Sequence, residues 1–516
     1  MLMLFIAVHG VYFALGVRFD DTPLTWFWQY LDVALLKEHL AESLLYLHSQ
    51  PPLFNLFLGV VLKLFPGHYV SAFQVAFLAM GIGLYASLFL VMRRLGISSW
   101  LGLILSTLFI ASPSFVLYEE WLFCTLPVTL ALVLSVLFLQ SFVESGGGTS
   151  AIGFVLCLLL LCGTWALFHL VYLVVVTGGL LVLLPGKRSI LLKAAVPVMC
   201  LVVALYAKNL VLFGHFGPST WLGMNVARIT LQRASRAERT QLVTAGKISR
   251  IALMRPFQTI EAYPARYGQA PGFESVPSLR EVTKSTGAPN LNHLGYVTLS
   301  EQYLRDSLVL VWNRPRVYAR GVRAAWLYYF TSTSAPGHLT ANIDRLDLPT
   351  RLWDRLFYGR VSFEVPVDRN SQRPLHVVLL VALPLVWLVS LRMALGSPAG
   401  GADLSHDQRL LVGYMCFNIL WVAVVGNSIE VGENNRFRFT TDPLSIVLAG
   451  LVVQRLLRLR SRPPVAGVAS CGRFAESEEV ERPHGTALEE DRSRFGRPSP
   501  GRSAKASATT GGSCFR

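Results

Sequence analysis

The sequence predicts an all-α polytopic membrane protein. Three observations carry this. Only 15% of the 516 residues are charged and 53% are hydrophobic, whereas a soluble chain carries about 25% charged residues. The mean hydropathy is +0.48. The apolar residues also fall in repeated runs of roughly 17–22, each able to cross about 30 Å of hydrocarbon.

Residues 1–17 form the first predicted span, without the basic start or small-residue cleavage site of a secretory signal. A first outer loop follows over 18–69 and opens on two adjacent acids, Asp20 and Asp21. Trp26, Trp28 and Tyr30 read as interfacial anchors. Leu35, Leu36, Leu40, Leu44 and Leu45 then recur at helical spacing with Lys37, Glu38 and Glu42 between them. That pattern predicts an amphipathic helix lying on the bilayer surface. His48, Gln50, Pro51 and Pro52 lead into an apolar helix ending near residue 65, too short to span.

Further spans are predicted at 70–92, 100–117, 122–142, 152–167, 170–184 and 189–207. These complete an N-terminal transmembrane module over 1–207. The third span runs into Glu119-Glu120, and the turn near His169 joins the fifth and sixth. A long outer-face region, 208–374, has no sustained strand alternation. Within it, 303–330 reads as a basic amphipathic helix interrupted near Pro315. Its arginines form either a solvated face or a site for a lipid pyrophosphate or other anionic acceptor. The last three spans, 375–391, 410–425 and 443–457, make up a C-terminal segment over 375–457. The remainder, 458–516, is rich in Arg, Ser, Gly, Pro and Glu and reads as a disordered cytoplasmic tail.

The net charge of +15 fits cytoplasmic flanking charges and contacts to anionic membrane lipid; no nucleic-acid partner is expected. Strict alternation of spans puts Arg93-Arg94, Lys187-Arg188 and the cluster Arg455, Arg458, Arg460, Arg462 on one side, the cytoplasm. Asp20-Asp21, Glu119-Glu120, His169 and Glu433–Arg438 then share the other. The seven cysteines show neither a disulfide framework nor metal-ligand spacing.

Acids and cations gathered at one membrane surface suit sugar transfer from a lipid phosphate. A carboxylate deprotonates an acceptor hydroxyl. Arginine, always charged and able to bind in a fork, holds the leaving phosphate. Asp20 or Asp21 supplies the first, Arg436 and Arg438 the second, and the aromatic amphipathic segment guides an isoprenoid chain.

The order of these features (span, paired acids, interfacial segment, Pro-Pro-Leu-Phe at 51–54) resembles the start of the GT-C superfamily of multi-spanning glycosyltransferases. That superfamily includes protein O-mannosyltransferases and aminoarabinose transferases. The resemblance covers residues 1–212 and, more weakly, 432–457. It implies a helical membrane domain with outer-face loops, a polyprenyl-phosphate sugar donor and an inverting transfer at the outer face of a bacterial inner membrane. Carried over by position, it implies Asp20 or Asp21 as base, with Glu119 or Glu120 orienting the acceptor or a divalent metal. Arg436, Arg438, His169 and Lys208 are the donor-phosphate candidates. His48, Gln50 and Asn434 are acceptor-side candidates, with 213–221, Asn225 and Arg228 beside them. The family's first motif is usually Asp-Glu and here is Asp-Asp. Its second acid is often Asp and here is a Glu pair. Two other readings are a transporter or flippase of lipid-linked substrates and a non-catalytic assembly protein.

Overall fold

The computed structural model describes residues 1–334, 341–366, 372–396 and 404–460. Most of the predicted tail, with Cys471 and Cys514, lies outside the described residues. The helices in chain order are α1 (Leu2–Ala14), α2 (Pro23–Trp26), α3 (Val33–Glu38), α4 (Leu40–Leu45), α5 (Leu53–Leu64), α6 (Tyr69–Arg94), α7 (Ser99–Ala111), α8 (Pro113–Glu119), α9 (Thr125–Ser145), α10 (Gly148–Thr164), α11 (Leu170–Leu183) and α12 (Arg188–Phe213). After these come α13 (Leu222–Ile229), α14 (Arg236–Thr244), α15 (Pro277–Arg280), α16 (Gly295–Asn313), α17 (Pro315–Tyr329), α18 (Ile343–Trp353), α19 (Val377–Leu395), α20 (His406–Ile429) and α21 (Asn434–Arg460). One antiparallel pair, β1 (Ser362–Pro366) and β2 (Gln372–His376), is the only sheet among the described residues. The described residues are almost wholly helical, as an all-α membrane protein requires.

Among the described residues six helices, α6, α9, α12, α19, α20 and α21, are long and apolar enough to cross a bilayer. The bent pair α7–α8 makes a seventh if counted as one span. Three of the ten predicted spans fall on shorter apolar helices: α1, α10 and α11 have 13, 17 and 14 residues. At 1.5 Å per residue these cover about 20–26 Å, short of a full hydrocarbon core of about 30 Å.

The predicted span at 100–117 is not one straight helix. Pro113 cannot continue the α7 ladder, and it holds Ser112 in extended backbone. Ser112 caps α8, accepting from the Phe115 N–H at 3.2 Å. The chain therefore bends by 61° and α8 turns into the bundle, where all seven of its residues are buried. The amphipathic segment of the first loop is likewise two short helices, α3 and α4, broken at His39. At the other boundary α12 runs on through Lys208 and Asn209 to Phe213, and Gly214 ends it in the left-handed region at φ +69.

The bundle has two chemically different ends. At one, Arg94 donates to Ser141 Oγ (2.6 Å), Lys187 to the Phe142 carbonyl (3.2 Å) and Arg458 to the Gly96 carbonyl (2.9 Å). At the other lie the Asp20 loop, the α8–α9 turn, the α10–α11 turn and the α20–α21 turn. The region after α12 packs a second core around Trp221, Met224, Tyr267, Tyr296 and Tyr303. This core is built from α13, α14, α16 and short 3-10 turns. Pro315 does interrupt the basic helix, separating α16 from α17. The second core is tied to the first loop by Lys284, which donates to the Phe27 carbonyl (2.7 Å), and by Ser285, whose N–H donates to Asp32 (2.7 Å).

Candidate functional site

The two acid pairs meet. The Asp20 N–H donates to the Glu120 carbonyl (2.7 Å), and the Leu122 N–H donates to the Asp20 carbonyl (3.0 Å). Asp20 and Trp121 thus form a parallel bridge between segments a hundred residues apart in sequence. The bend at Pro113 makes this possible, because it delivers the C-terminus of α8 to the loop after α1. Asp20 is buried, and its Oδ1 accepts from the Thr22 hydroxyl (2.6 Å) and N–H (3.1 Å). Asp21 is more exposed.

Glu119 is not a solvated acid. It is fully buried, and its Oε2 is paired with His9 Nε2 from α1. His9 is anchored in turn by the Phe5 carbonyl (2.9 Å) and stacks on the Phe5 ring (3.9 Å). The other oxygen of Glu119 lies against Gly81 of α6 and has no hydrogen-bond partner, nor does Oε2 of Glu120. His9 escaped the sequence reading, although an ionisable side chain inside an apolar run is a signal in itself.

The first loop that carries Asp20 and Asp21 also contributes Trp28 and Gln29 to the wall of a cavity of about 470 Å³. Its walls come from the first loop, the α10–α11 turn, 215–228 and the α20–α21 turn. Trp28, Trp165, Trp221 and Phe257 give it aromatic sides, while Arg228, Arg436, Glu430 and Glu433 give it charge. Arg436 is buried: its Nε donates to Glu433 (2.8 Å), with Nη2 on the same oxygen, and Nη1 reaches Thr125 Oγ1 (3.4 Å). The guanidinium lies over Phe123, Phe437 and Trp165, at 4.9, 5.2 and 5.5 Å from the ring centres. Arg228 pairs with Glu430 at 3.3 Å.

Of the predicted residues, Gln50, His169, Asn225, Arg228 and Arg436 line this cavity, as do His215, Phe216, Gly217, Ser219 and Trp221 of the 213–221 stretch. His169 caps α11, accepting from the Val171 N–H (3.2 Å), and burial lowers its pKa. Asp20, Asp21, Glu119 and Glu120 do not line it. Neither do Arg438, Lys208, Asn434 and His48, and in each case an internal partner explains why. Arg438 donates to the Tyr329 carbonyl (2.8 Å) and pairs with Asp442 (3.4 Å). Lys208 donates to the Leu47 carbonyl (2.6 Å). Asn434 holds the α20–α21 turn, donating to Asn427 Oδ1 (2.7 Å) and the Glu430 carbonyl (3.0 Å). His48 is wholly buried between Thr220 Oγ1 (2.8 Å) and the Asn292 carbonyl (2.9 Å), and burial pushes its pKa down to about 3. It is a structural tie between the first loop and the second core. No group of three or more His, Cys, Asp or Glu side chains suited to a metal ion occurs among the described residues.

Compared with known proteins, the chain matches no protein-family model and no curated protein.

Proposed function

We propose that this chain is a membrane glycosyltransferase of the GT-C type, moving a sugar from a polyprenyl-phosphate donor to an acceptor hydroxyl. The observation that carries the reading is the backbone pairing of the Asp20 loop with Glu120–Leu122, in a loop whose Trp28 and Gln29 also wall an aromatic cavity lined by a buried arginine. In the reaction an acceptor hydroxyl attacks the anomeric carbon and its proton passes to a carboxylate. The bond to the phosphate breaks, and the lipid phosphate leaves with the electron pair. Asp20, oriented by Thr22, or its more exposed neighbour Asp21 is the base. Arg436, with its planar fork, holds the leaving phosphate. Glu119 supports the site from behind by fixing α8 to α1 through His9. The acceptor enters from the outer face of a bacterial inner membrane.

The test is transfer from a labelled polyprenyl-phosphate sugar by Asp20→Asn and Asp21→Asn. Loss of roughly a hundredfold or more in one of them is expected for a general base. Full activity in both removes the assignment.

One observation favours a second reading. The His9–Glu119 pair is an ionisable couple buried among apolar helices, the kind of feature that marks ion or substrate pathways in transporters. Flux of a lipid-linked sugar across proteoliposomes with no covalent product would support a transporter or flippase instead.

A further inference from the structure

The charges in the cavity are already cancelled. Arg228 faces Glu430, and Arg436 faces Glu433. Both glutamates belong to the short connection between α20 and α21, residues 430–433. Gly432 in that connection has φ +129, a conformation that favours glycine, and a side chain there would run into the Arg228 guanidinium. Both arginines are therefore gripped by one turn.

Arg436 and Glu433 are each 3% exposed. With Phe123, Trp165 and Phe437 around the guanidinium, water contributes little to solvating it. A buried guanidinium left without a counter-ion is strongly unfavourable, so something anionic must always face it. Glu433 does so through Nε and Nη2 of the fork, the same edge that binds two oxygens of a phosphate. A phosphate and a carboxylate cannot both crowd that edge without like-charge repulsion.

Resting on the lipid-phosphate reading above, we infer that Glu433 is an exchangeable counter-ion. The phosphate of a prenyl phosphate replaces it on Arg436, and the carboxylate yields. Glu433 thereby sets the affinity of the cavity for anionic lipid: it competes with the ligand for one cation.

The experiment measures binding of farnesyl phosphate to the full chain in detergent, with farnesol as the uncharged control. The proteins are the wild type, Glu433→Gln, Glu433→Asp and Arg436→Gln. With the competitor neutralised, Glu433→Gln binds farnesyl phosphate roughly tenfold tighter or more, matching one charge-assisted hydrogen bond. Farnesol affinity stays unchanged. Arg436→Gln loses the preference for phosphate over alcohol. Should Glu433→Gln not fold, Glu433→Asp, whose shorter side chain weakens the grip, shows the same direction. Unchanged or weaker binding in the folded Glu433 variants, while the wild type still prefers phosphate in an Arg436-dependent way, overturns the exchange but leaves the lipid-phosphate reading intact. A wild type and Glu433→Gln that both bind farnesyl phosphate no better than farnesol overturn that reading itself.

Discussion

Gly81 tests whether the His9–Glu119 pair holds the acid loops together. It lies in α6 facing Glu119, and a Cβ built on it overlaps Oε1 of Glu119, comes within 2.8 Å of Cδ and 3.3 Å of Phe115 Cζ. Gly83, on the same helix, is the internal control, because a Cβ there meets only Leu130 at ordinary distances of 3.7 and 3.9 Å. Alanine is favoured over glycine in a helix by about 0.8–1 kcal/mol, so Gly83→Ala is neutral or stabilising by up to that amount. Gly81→Ala makes the same gain and loses more. If the carboxylate stays, overpacking costs about 1–3 kcal/mol. If it moves, a buried pair is broken, at about 3–5 kcal/mol. The net expectation is destabilisation of up to about 4 kcal/mol, opposite in sign to Gly83→Ala. Thermal unfolding in detergent reads this through intrinsic fluorescence, since Trp121 is buried two residues beyond Glu119. In a Glu119→Ala background the Gly81→Ala penalty should disappear, because the overlapping oxygen is gone. A Gly81→Ala protein as stable as Gly83→Ala would falsify the packing described here.

His48 predicts a pH effect. Its folded pKa is about 3 against 6.5 for the free group, so the unfolded chain takes up the proton first. The neutral tie contributes fully above pH 6.5 and weakens by about 1.4 kcal/mol per unit as pH falls toward 3. His48→Gln should flatten the melting temperature between pH 7 and 4.5; parallel curves for the two proteins would rule the tie out. Asn292 accepts from the His48 and Ser49 N–H groups (3.1 and 3.2 Å) and donates to the Tyr46 carbonyl (3.2 Å). Asn292→Ala strands these buried groups at about 1–3 kcal/mol each, so a melting temperature several degrees lower is expected. An unchanged melting temperature would mean that the loop does not depend on this junction.

The helical membrane architecture was legible because apolar runs dominate the chain. The Ser112-Pro113 bend was legible in principle: a proline inside an apolar run ends or kinks a helix, and here it lies four residues before the end of a predicted span. That the acids after the first and third apolar segments share one end followed from counting spans. Their direct backbone pairing did not, since nothing local at Asp20 specifies Trp121 as a partner. The same holds for the cations. Arg436 and Arg438 look equivalent in the sequence, yet about half a turn of helix separates a cavity wall from an interior pair with Asp442. His48 beside Pro51-Pro52 has the appearance of a site residue, and long-range contacts to Thr220 and Asn292 turn it into a joint.

The acids and the cavity communicate through aromatic rings. Trp121, paired with Asp20, has its ring 4.5 Å from that of Phe123, and Arg436 sits over Phe123. Phe27 touches both rings, at 5.9 and 4.8 Å, and comes from the same loop as Asp20 and Asp21. Under the proposed sugar transfer, a carboxylate on that loop would reach a sugar held at Arg436 only if the ligand extends past these rings or the loop shifts against them. The loop is pinned on its far side by Lys284 and Ser285, so a shift requires those bonds to give. Ser285→Ala removes the hydroxyl bond to Asp32 at an exposed position and should cost little stability. If loop movement limits the reaction, Ser285→Ala raises kcat. If the ligand does the reaching, kcat is unchanged and only substitutions in the Phe27–Trp121–Phe123 wall alter it.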